Sequence, residues 1–174
     1  LTCERNRCGG GAEGFRLPAG SGADGEAPVS FTGNIAHSLS DAALVFGQNI
    51  SGTLSDFTAW GVTNYGVEIG SDLQDLTFSN FLFVGVGLAA VLFNDGVRLL
   101  RLRFTSFTTR GDAAKASALA VRLDATSCVI HAVCFDNGSF GVGTAHSTAV
   151  LGASGAVSLT GALADIRFRD CVFN

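Results

Sequence analysis

The sequence of 174 residues contains no methionine, two prolines, one tryptophan and one tyrosine. Charged residues are scarce, at 15%, and 11 basic against 15 acidic side chains leave a formal net charge of −4. A dedicated nucleic-acid-binding protein carries a basic surplus, so no nucleic-acid partner is expected. The longest apolar candidate, residues 78–93, is interrupted by Ser79, Asn80, Gly85 and Gly87, so no membrane span is expected.

The missing methionine also bears on the ends of the chain. Because translation begins with methionine, we expect residue 1 to be the product of processing or to lie within a longer protein.

What the chain does contain is 47% hydrophobic residues, 14 phenylalanines and 23 glycines. This content argues against disorder, and the mixture of Phe and Val with Gly, Ser and Thr is typical of strands and turns.

A short pattern recurs along the chain: two apolar residues separated by one residue, followed by a small or polar turn residue. One apolar residue of each copy, which we call the anchor, lies two places before the turn residue. Successive anchors are 23, 24, 26, 31 and 33 residues apart. These anchor residues are Phe31, Leu54, Phe78, Phe104, Phe135 and Phe168. A second set of apolar residues recurs between the anchors, represented by Phe46, Ile69, Phe93 and Leu123.

Strands that recur in a fixed order at this period predict a solenoid. We predict an all-β, right-handed parallel β-helix of about six rungs. The rungs would stack at the spacing of neighbouring strands, and the right-handed sense follows from the chirality of crossovers between parallel strands. The anchors would form one interior ladder and the second apolar set another. A β-sandwich or a leucine-rich horseshoe fits less well, because neither returns this local pattern at this period. Residues 1–28 read as a Gly/Ala-rich arm or linker, and residues 29–174 as the β-helix.

The residue two places after each anchor is Gly or polar, which predicts a column of turns. Asn and Asp tolerate the left-handed backbone conformation and bond nearby backbone. The column comprises Gly33, Asp56, Asn80, Ser106, Asn137 and Asp170.

The segments 76–81 and 166–174 resemble the repeats of the pectate-lyase-like superfamily of parallel β-helices. The resemblance implies the fold, and a range of functions that includes polysaccharide lyases, glycoside hydrolases, adhesins and viral surface proteins. The segments 95–105 and 128–135 are also similar to the β-helix of the adenoviral hexon-interlacing protein and its early-region relative.

An enzyme of this superfamily needs convergent acids or bases, and Asp95 and Asp124 follow equivalent strands in neighbouring coils. A catalytic carboxylate pair must lie within roughly 5–10 Å. Both aspartates also read as plain turn residues, and the hydrolase and lyase motifs implied by the resemblance are missing. The sequence therefore leaves enzymatic activity open and favours a non-catalytic protein.

The arginines are the most suggestive surface feature of the sequence. Arg101 and Arg103 fall in one strand region, and Arg167 and Arg169 in the last. By alternation, Arg103 and Arg167 point outward at equivalent places two coils apart, with Cys134 between them. Such a stripe would bind an acidic polysaccharide or a neighbouring subunit; alternatively, it is a solvated face balanced by Asp75 and Asp165.

The aromatic residues offered for stacking on a sugar are Trp60 and Tyr65. The loops at 108–117 and 137–147 absorb the extra residues of the longer coils and are candidates for recognition. No cofactor is expected.

Cys3 and Cys8 are candidates for a loop disulfide or for a bond to a partner chain, and Asn49 and Asn137 lie in glycosylation sequons at predicted turns. His37, His131 and His146 lack metal-ligand spacing, so no metal site is expected.

We expect a non-catalytic structural or adhesive module that presents a rigid face for carbohydrate or protein binding. It would act at an extracellular, cell or virion surface, and would self-associate, for example as a trimer, or adjoin further domains. The alternatives are a polysaccharide lyase or glycoside hydrolase and a viral capsid-surface or cement protein.

Overall fold

The structure, a computed structural model, describes residues 2–17, 27–47, 50–94, 96–110, 119–123, 129–140 and 164–173. These residues form strands joined by turns and bends. Within these ranges no helix is long and apolar enough to cross a membrane.

Two parallel sheets contain all the described strands. The long sheet has 13 strands: β1 (Thr2–Glu4), β2 (Arg7–Gly9), β4 (Ala27–Thr32), β5 (Ile35–Leu39), β7 (Ile50–Val62), β9 (Leu73–Gln74), β10 (Leu76–Val84), β12 (Arg98–Leu100), β13 (Arg103–Arg110), β15 (Val129–Asp136), β16 (Ser139–Phe140), β17 (Ala164–Arg169) and β18 (Val172–Phe173). The short sheet has five strands: β3 (Phe15–Leu17), β6 (Ala42–Phe46), β8 (Tyr65–Ile69), β11 (Ala89–Phe93) and β14 (Leu119–Leu123). The chain alternates between the sheets as it coils, which makes the protein a parallel β-solenoid.

The predicted ladder of anchors is confirmed by the strand register. Each anchor pairs with the next anchor along the chain, from Phe31 to Phe168. The ring centroids of Phe78 and Phe104 are 4.3 Å apart and nearly parallel, and those of Phe104 and Phe135 are 4.4 Å apart. Because equivalent residues stack at the rung spacing of about 4.8 Å, identical side chains pack face to face along the interior.

The second ladder is also present in the short sheet. Phe93 pairs in register with Ile69 on one side and with Leu123 on the other, and Phe46 pairs with Leu17. A third interior stack, which the sequence pattern does not assign, consists of Phe57, Phe81 and Phe107.

The column of left-handed turns is confirmed at all six predicted positions, and Arg5 extends it by one. The seven residues have φ between 52° and 67°. The turns at Asp56, Asn80 and Ser106 bend the chain within a continuous strand, so β7 runs through the bend at Asp56 as a single 13-residue strand. Strands β1, β4, β15 and β17 end at the residue before their turns.

The number of turns differs from the prediction. The solenoid has about four turns rather than six. The six anchors predict six rungs, but a full turn also requires a strand of the short sheet. The five strands of that sheet are separated by four steps. The right-handed sense of the coil stays a prediction from the crossover rule.

The N-terminal residues also differ from the prediction of an arm over residues 1–28. Strands β1, β2 and β3 pair with β4, β5 and β6, so residues 2–17 form a coil of the solenoid. The fully buried Asn34 fastens this coil to the next: its Nδ2 donates to the Cys3 carbonyl at 2.8 Å and its Oδ1 accepts from the Asn6 amide at 2.9 Å. Residues 18–26 lie outside the described ranges.

Candidate functional site

The outer face of the first strand in each coil carries two columns of polar side chains. They flank the interior ladder because successive side chains of a strand point to opposite faces. The first column is Thr2, Ser30, Thr53, Thr77, Arg103, Cys134 and Arg167, and the second is Glu4, Thr32, Ser55, Ser79, Thr105, Asp136 and Arg169. We call these the outer columns. Hydroxyl groups dominate the first four positions of both columns, and guanidinium groups enter from the fifth position of the first column, Arg103, onward.

At that end, one carboxylate ties three consecutive coils together. Asp136 accepts from Arg103 Nε at 2.8 Å, from Arg169 Nε at 2.7 Å and from Arg169 Nη2 at 3.0 Å. The side chain of Asp136 is 12% exposed, whereas those of Arg103 and Arg169 are 57% and 60% exposed. The carboxylate is therefore covered by its two arginines and yet lies near the molecular surface.

The electrostatics of this end keep the carboxylate charged and the thiol neutral. Hydrogen bonds from Arg169, Cys134 and Arg103 hold the pKa of the Asp136 carboxyl below its usual range, against the effect of burial. Burial, and then the hydrogen bond from the Cys134 thiol to Asp136 at 3.3 Å, raises the pKa of that thiol. Cys134 is thus a protonated thiol at neutral pH, and a weak nucleophile.

The structure brings three of the four predicted arginines together. Arg103 and Arg167 occupy the first outer column on either side of Cys134, as the alternation predicts. Arg167 donates to both oxygens of Asp165, from Nε at 2.8 Å and from Nη2 at 3.0 Å. Arg101 lies apart in a different turn, with φ of 54°, and donates to Asp75 from Nε at 2.6 Å.

A surface groove of about 210 Å³ opens beside these arginines, lined by Ala132, Val133, Cys134, Arg167 and Arg169. Its lining combines a short thiol with two long guanidinium side chains. Guanidinium groups bind carboxylate, sulfate and phosphate groups through paired N–H donors, so the groove is suited to an anionic group.

The two aromatic residues predicted to stack on a sugar do not form one platform. The Trp60 ring stacks on His37 at 4.9 Å, and Arg7 Cζ lies 5.6 Å from the Trp60 centroid. Arg7 Nε also donates to His37 Nε2 at 3.0 Å, so this cluster occupies one face of the indole. Tyr65 begins β8 in the other sheet, next to Ala42 and Ala89.

The two aspartates proposed for catalysis, Asp95 and Asp124, lie outside the described residues, as does Asn49. Asn137 is exposed in its left-handed turn, where a glycan would point into solvent.

Cys3 and Cys8 are free thiols, so the predicted loop disulfide is not formed between them. Both align with interior positions of the next coil, Phe31 and Ala36, and this register separates the two side chains.

The carboxyl groups with shifted pKa values are all held in the ionised form. The pKa is lowered for Asp56 by the amide of Asn80, for Asp75 by Arg101 and for Asp165 by Arg167. Within the described part of the chain, no three His, Cys, Asp or Glu side chains converge as a metal site would require.

Sequence reasoning missed the central role of Asp136 and the Arg7–His37–Trp60 cluster. The sequence does contain a signal for Asp136. It follows its anchor by one residue and lies between Thr105 and Arg169 in the second outer column, and Arg103 directly precedes the neighbouring anchor. The cluster has no such signal, because residues 1–28 lack the repeat pattern.

No protein-family model matches this chain, and neither a curated protein nor a solved structure matches it.

Proposed function

We propose that this protein is a non-catalytic structural or adhesive β-helix module that presents its outer columns as a rigid binding face. The observation that carries the proposal is the register of these columns, in which polar side chains recur coil after coil on a stacked aromatic core. A face that is already ordered loses little conformational entropy on binding, and this favours recognition of a repeating ligand.

The ionic contacts at the C-terminal end support the same function. Asp136 and Asp165 fix three guanidinium groups on the face, which limits their rotamers before any ligand arrives. Preorganised arginines of this kind suit an anionic carbohydrate or an acidic protein surface.

The lowered pKa values of four described carboxyl groups favour binding over hydrolysis. A general acid of a glycosidase needs a raised pKa so that it is protonated near neutral pH. Asp56, Asp75, Asp136 and Asp165 have lowered pKa values instead. For the lyase or hydrolase alternative, Asp95 and Asp124 are the candidate catalytic pair.

The finer assignments are also part of this proposal. Membership of the pectate-lyase-like superfamily, or a relation to the adenoviral hexon-interlacing protein, is supported by the repeat pattern of the sequence. A location at an extracellular, cell or virion surface is supported by the exposed sequon at Asn137.

The proposal is tested by incubating the intact chain with a panel of neutral and acidic polysaccharides and acidic peptides. Bound ligand is measured by calorimetry, and new reducing or unsaturated chain ends are measured chemically. We expect binding without product. Turnover that is abolished by Asp95→Ala or Asp124→Ala would replace the proposal with an enzyme, and failure to bind any member of the panel would contradict a binding face.

A further inference from the structure

In the first outer column, one short side chain lies between two long ones. Arg103, Cys134 and Arg167 follow one another in consecutive coils, so a short side chain lies between two long ones. Since each coil adds about 4.8 Å, the two arginine positions are roughly 10 Å apart. The resulting gap has Cys134 at its floor, and Cys134 and Arg167 also line the groove of about 210 Å³. We call this gap the Cys134 notch.

The notch is locally basic in a chain that is acidic as a whole. Three guanidinium groups, those of Arg103, Arg167 and Arg169, face two carboxylates, those of Asp136 and Asp165. One positive charge is left over, against a formal net charge of −4 for the chain. The thiol at the floor adds no negative charge, because burial raises its pKa.

The arginines retain donors for a ligand after their ion pairs are made. A guanidinium group has five N–H donors. Arg103 uses only Nε toward Asp136, and Arg167 uses Nε and Nη2 toward Asp165. Their other N–H groups lie on side chains that are 57% and 69% exposed, so a second anion can reach them.

The surface that adjoins the notch indicates what kind of molecule carries the anion. Toward the N-terminus, the outer columns continue with hydroxyl side chains, among them Thr77, Ser79 and Thr105. Hydroxyl groups hydrogen-bond to sugar hydroxyls as donors and as acceptors. A polysaccharide laid along the columns would meet guanidinium groups at one end and hydroxyl groups beyond them.

Building on the proposed function, we propose that the Cys134 notch is a subsite for one sulfate or carboxylate group of an acidic polysaccharide. The anionic group would lie between the coils of Arg103 and Arg167, above Cys134. The neighbouring sugar residues would contact the hydroxyl groups of the outer columns.

The proposal is tested by calorimetry with a sulfated glycosaminoglycan hexasaccharide, its counterpart that has been desulfated and carboxyl-reduced, and a poly-glutamate peptide. Arg167→Gln removes one wall of the notch without touching the Asp136 contacts, and Cys134→Leu fills the floor. Arg16→Gln is the matched control, because Arg16 is also exposed and ion-paired to a nearby carboxylate, Glu13, but lies in β3. Cys134→Ser keeps the notch open.

We expect Arg167→Gln and Cys134→Leu to weaken hexasaccharide binding by roughly tenfold or more, as the loss of a charged hydrogen bond implies. Arg16→Gln and Cys134→Ser should change it less than twofold, and the counterpart without anionic groups should not bind. Circular dichroism and the urea midpoint establish that each variant is folded.

Three outcomes would overturn the subsite. Equal losses in Arg16→Gln and Arg167→Gln would indicate attraction to net charge alone. Unchanged affinity in both notch variants would leave the binding face intact but place the anion elsewhere. Tight binding of poly-glutamate, without the hexasaccharide, would make an acidic protein segment the ligand. If the wild-type chain binds none of the three probes or the polysaccharide panel, the proposed function itself is wrong.

Discussion

At the scale of single residues, Asp136 is the described side chain on which most ionic contacts converge. Its two arginines belong to the coils before and after it, so its charge couples three coils. We expect Asp136→Asn to lower the free energy of unfolding at pH 7 by about 1 kcal/mol, a modest value because the arginines are exposed and screened by solvent. Urea unfolding followed by circular dichroism measures this difference.

The pH dependence of this effect has a definite sign. A carboxyl whose pKa is lower in the folded chain stabilises the fold while it is ionised. That stabilisation is complete above its unfolded value, near the ordinary 3.8, and is lost as the pH falls through the folded value. The wild type and Asp136→Asn should therefore converge below pH 4. A difference that stays constant down to pH 2 would contradict the ionic origin.

At the scale of the strand elements, the left-handed turn column marks where strands of the long sheet bend or end. Ser106 is a suitable probe, because its φ is 54° and it follows Phe104 by two residues. We expect Ser106→Val to lower the free energy of unfolding by about 1–2 kcal/mol, since a β-branched side chain is strained in this conformation. The matched variant Ser106→Gly removes the strain and should be at least as stable as the wild type. Equal losses in both variants, measured by urea unfolding, would mean that Ser106 stabilises the turn through its hydroxyl.

Much of this element pattern was predictable from the sequence, for a physical reason. Stacked coils place equivalent residues in the same environment, so the anchors and the residues two places after them repeat their chemistry. The first coil lacks this signal because Cys3 replaces a large apolar anchor and Arg5 replaces the usual Gly, Asn, Asp or Ser of the turn. Its strands are recognisable only through their partners in the second coil.

The candidate site was less predictable than the fold. Alternation gives the outward direction of Arg103 and Arg167, because it depends on the backbone alone. The ion pairs depend on side-chain conformations and on residues 33 positions apart, such as Arg103 and Asp136. Local sequence does not determine which carboxylate each arginine contacts.

At the scale of the whole molecule, the stacked phenylalanine rings link the coils into one structure. Each described strand pairs only with strands of the neighbouring coils, so stability passes along the solenoid mainly through successive interfaces. Phe104 lies between Phe78 and Phe135 and is fully buried, whereas Phe168 is partly exposed at the end of the ladder. Loss of a central ring therefore weakens two interfaces at once.

We expect Phe104→Ala to lower the free energy of unfolding by about 3–5 kcal/mol, the range for deletion of a buried aromatic ring. Hydrogen exchange should then accelerate most in β10, β13 and β15, the strands that contact the vacated space, and less in the distant strand β4. Thr105→Ala, at the next position on the outer face, is the control and should change neither measurement appreciably. If exchange in Phe104→Ala instead accelerates to the same degree in β4 as in β13, the solenoid unfolds as one cooperative unit, and the nearest-neighbour account of its stability is wrong.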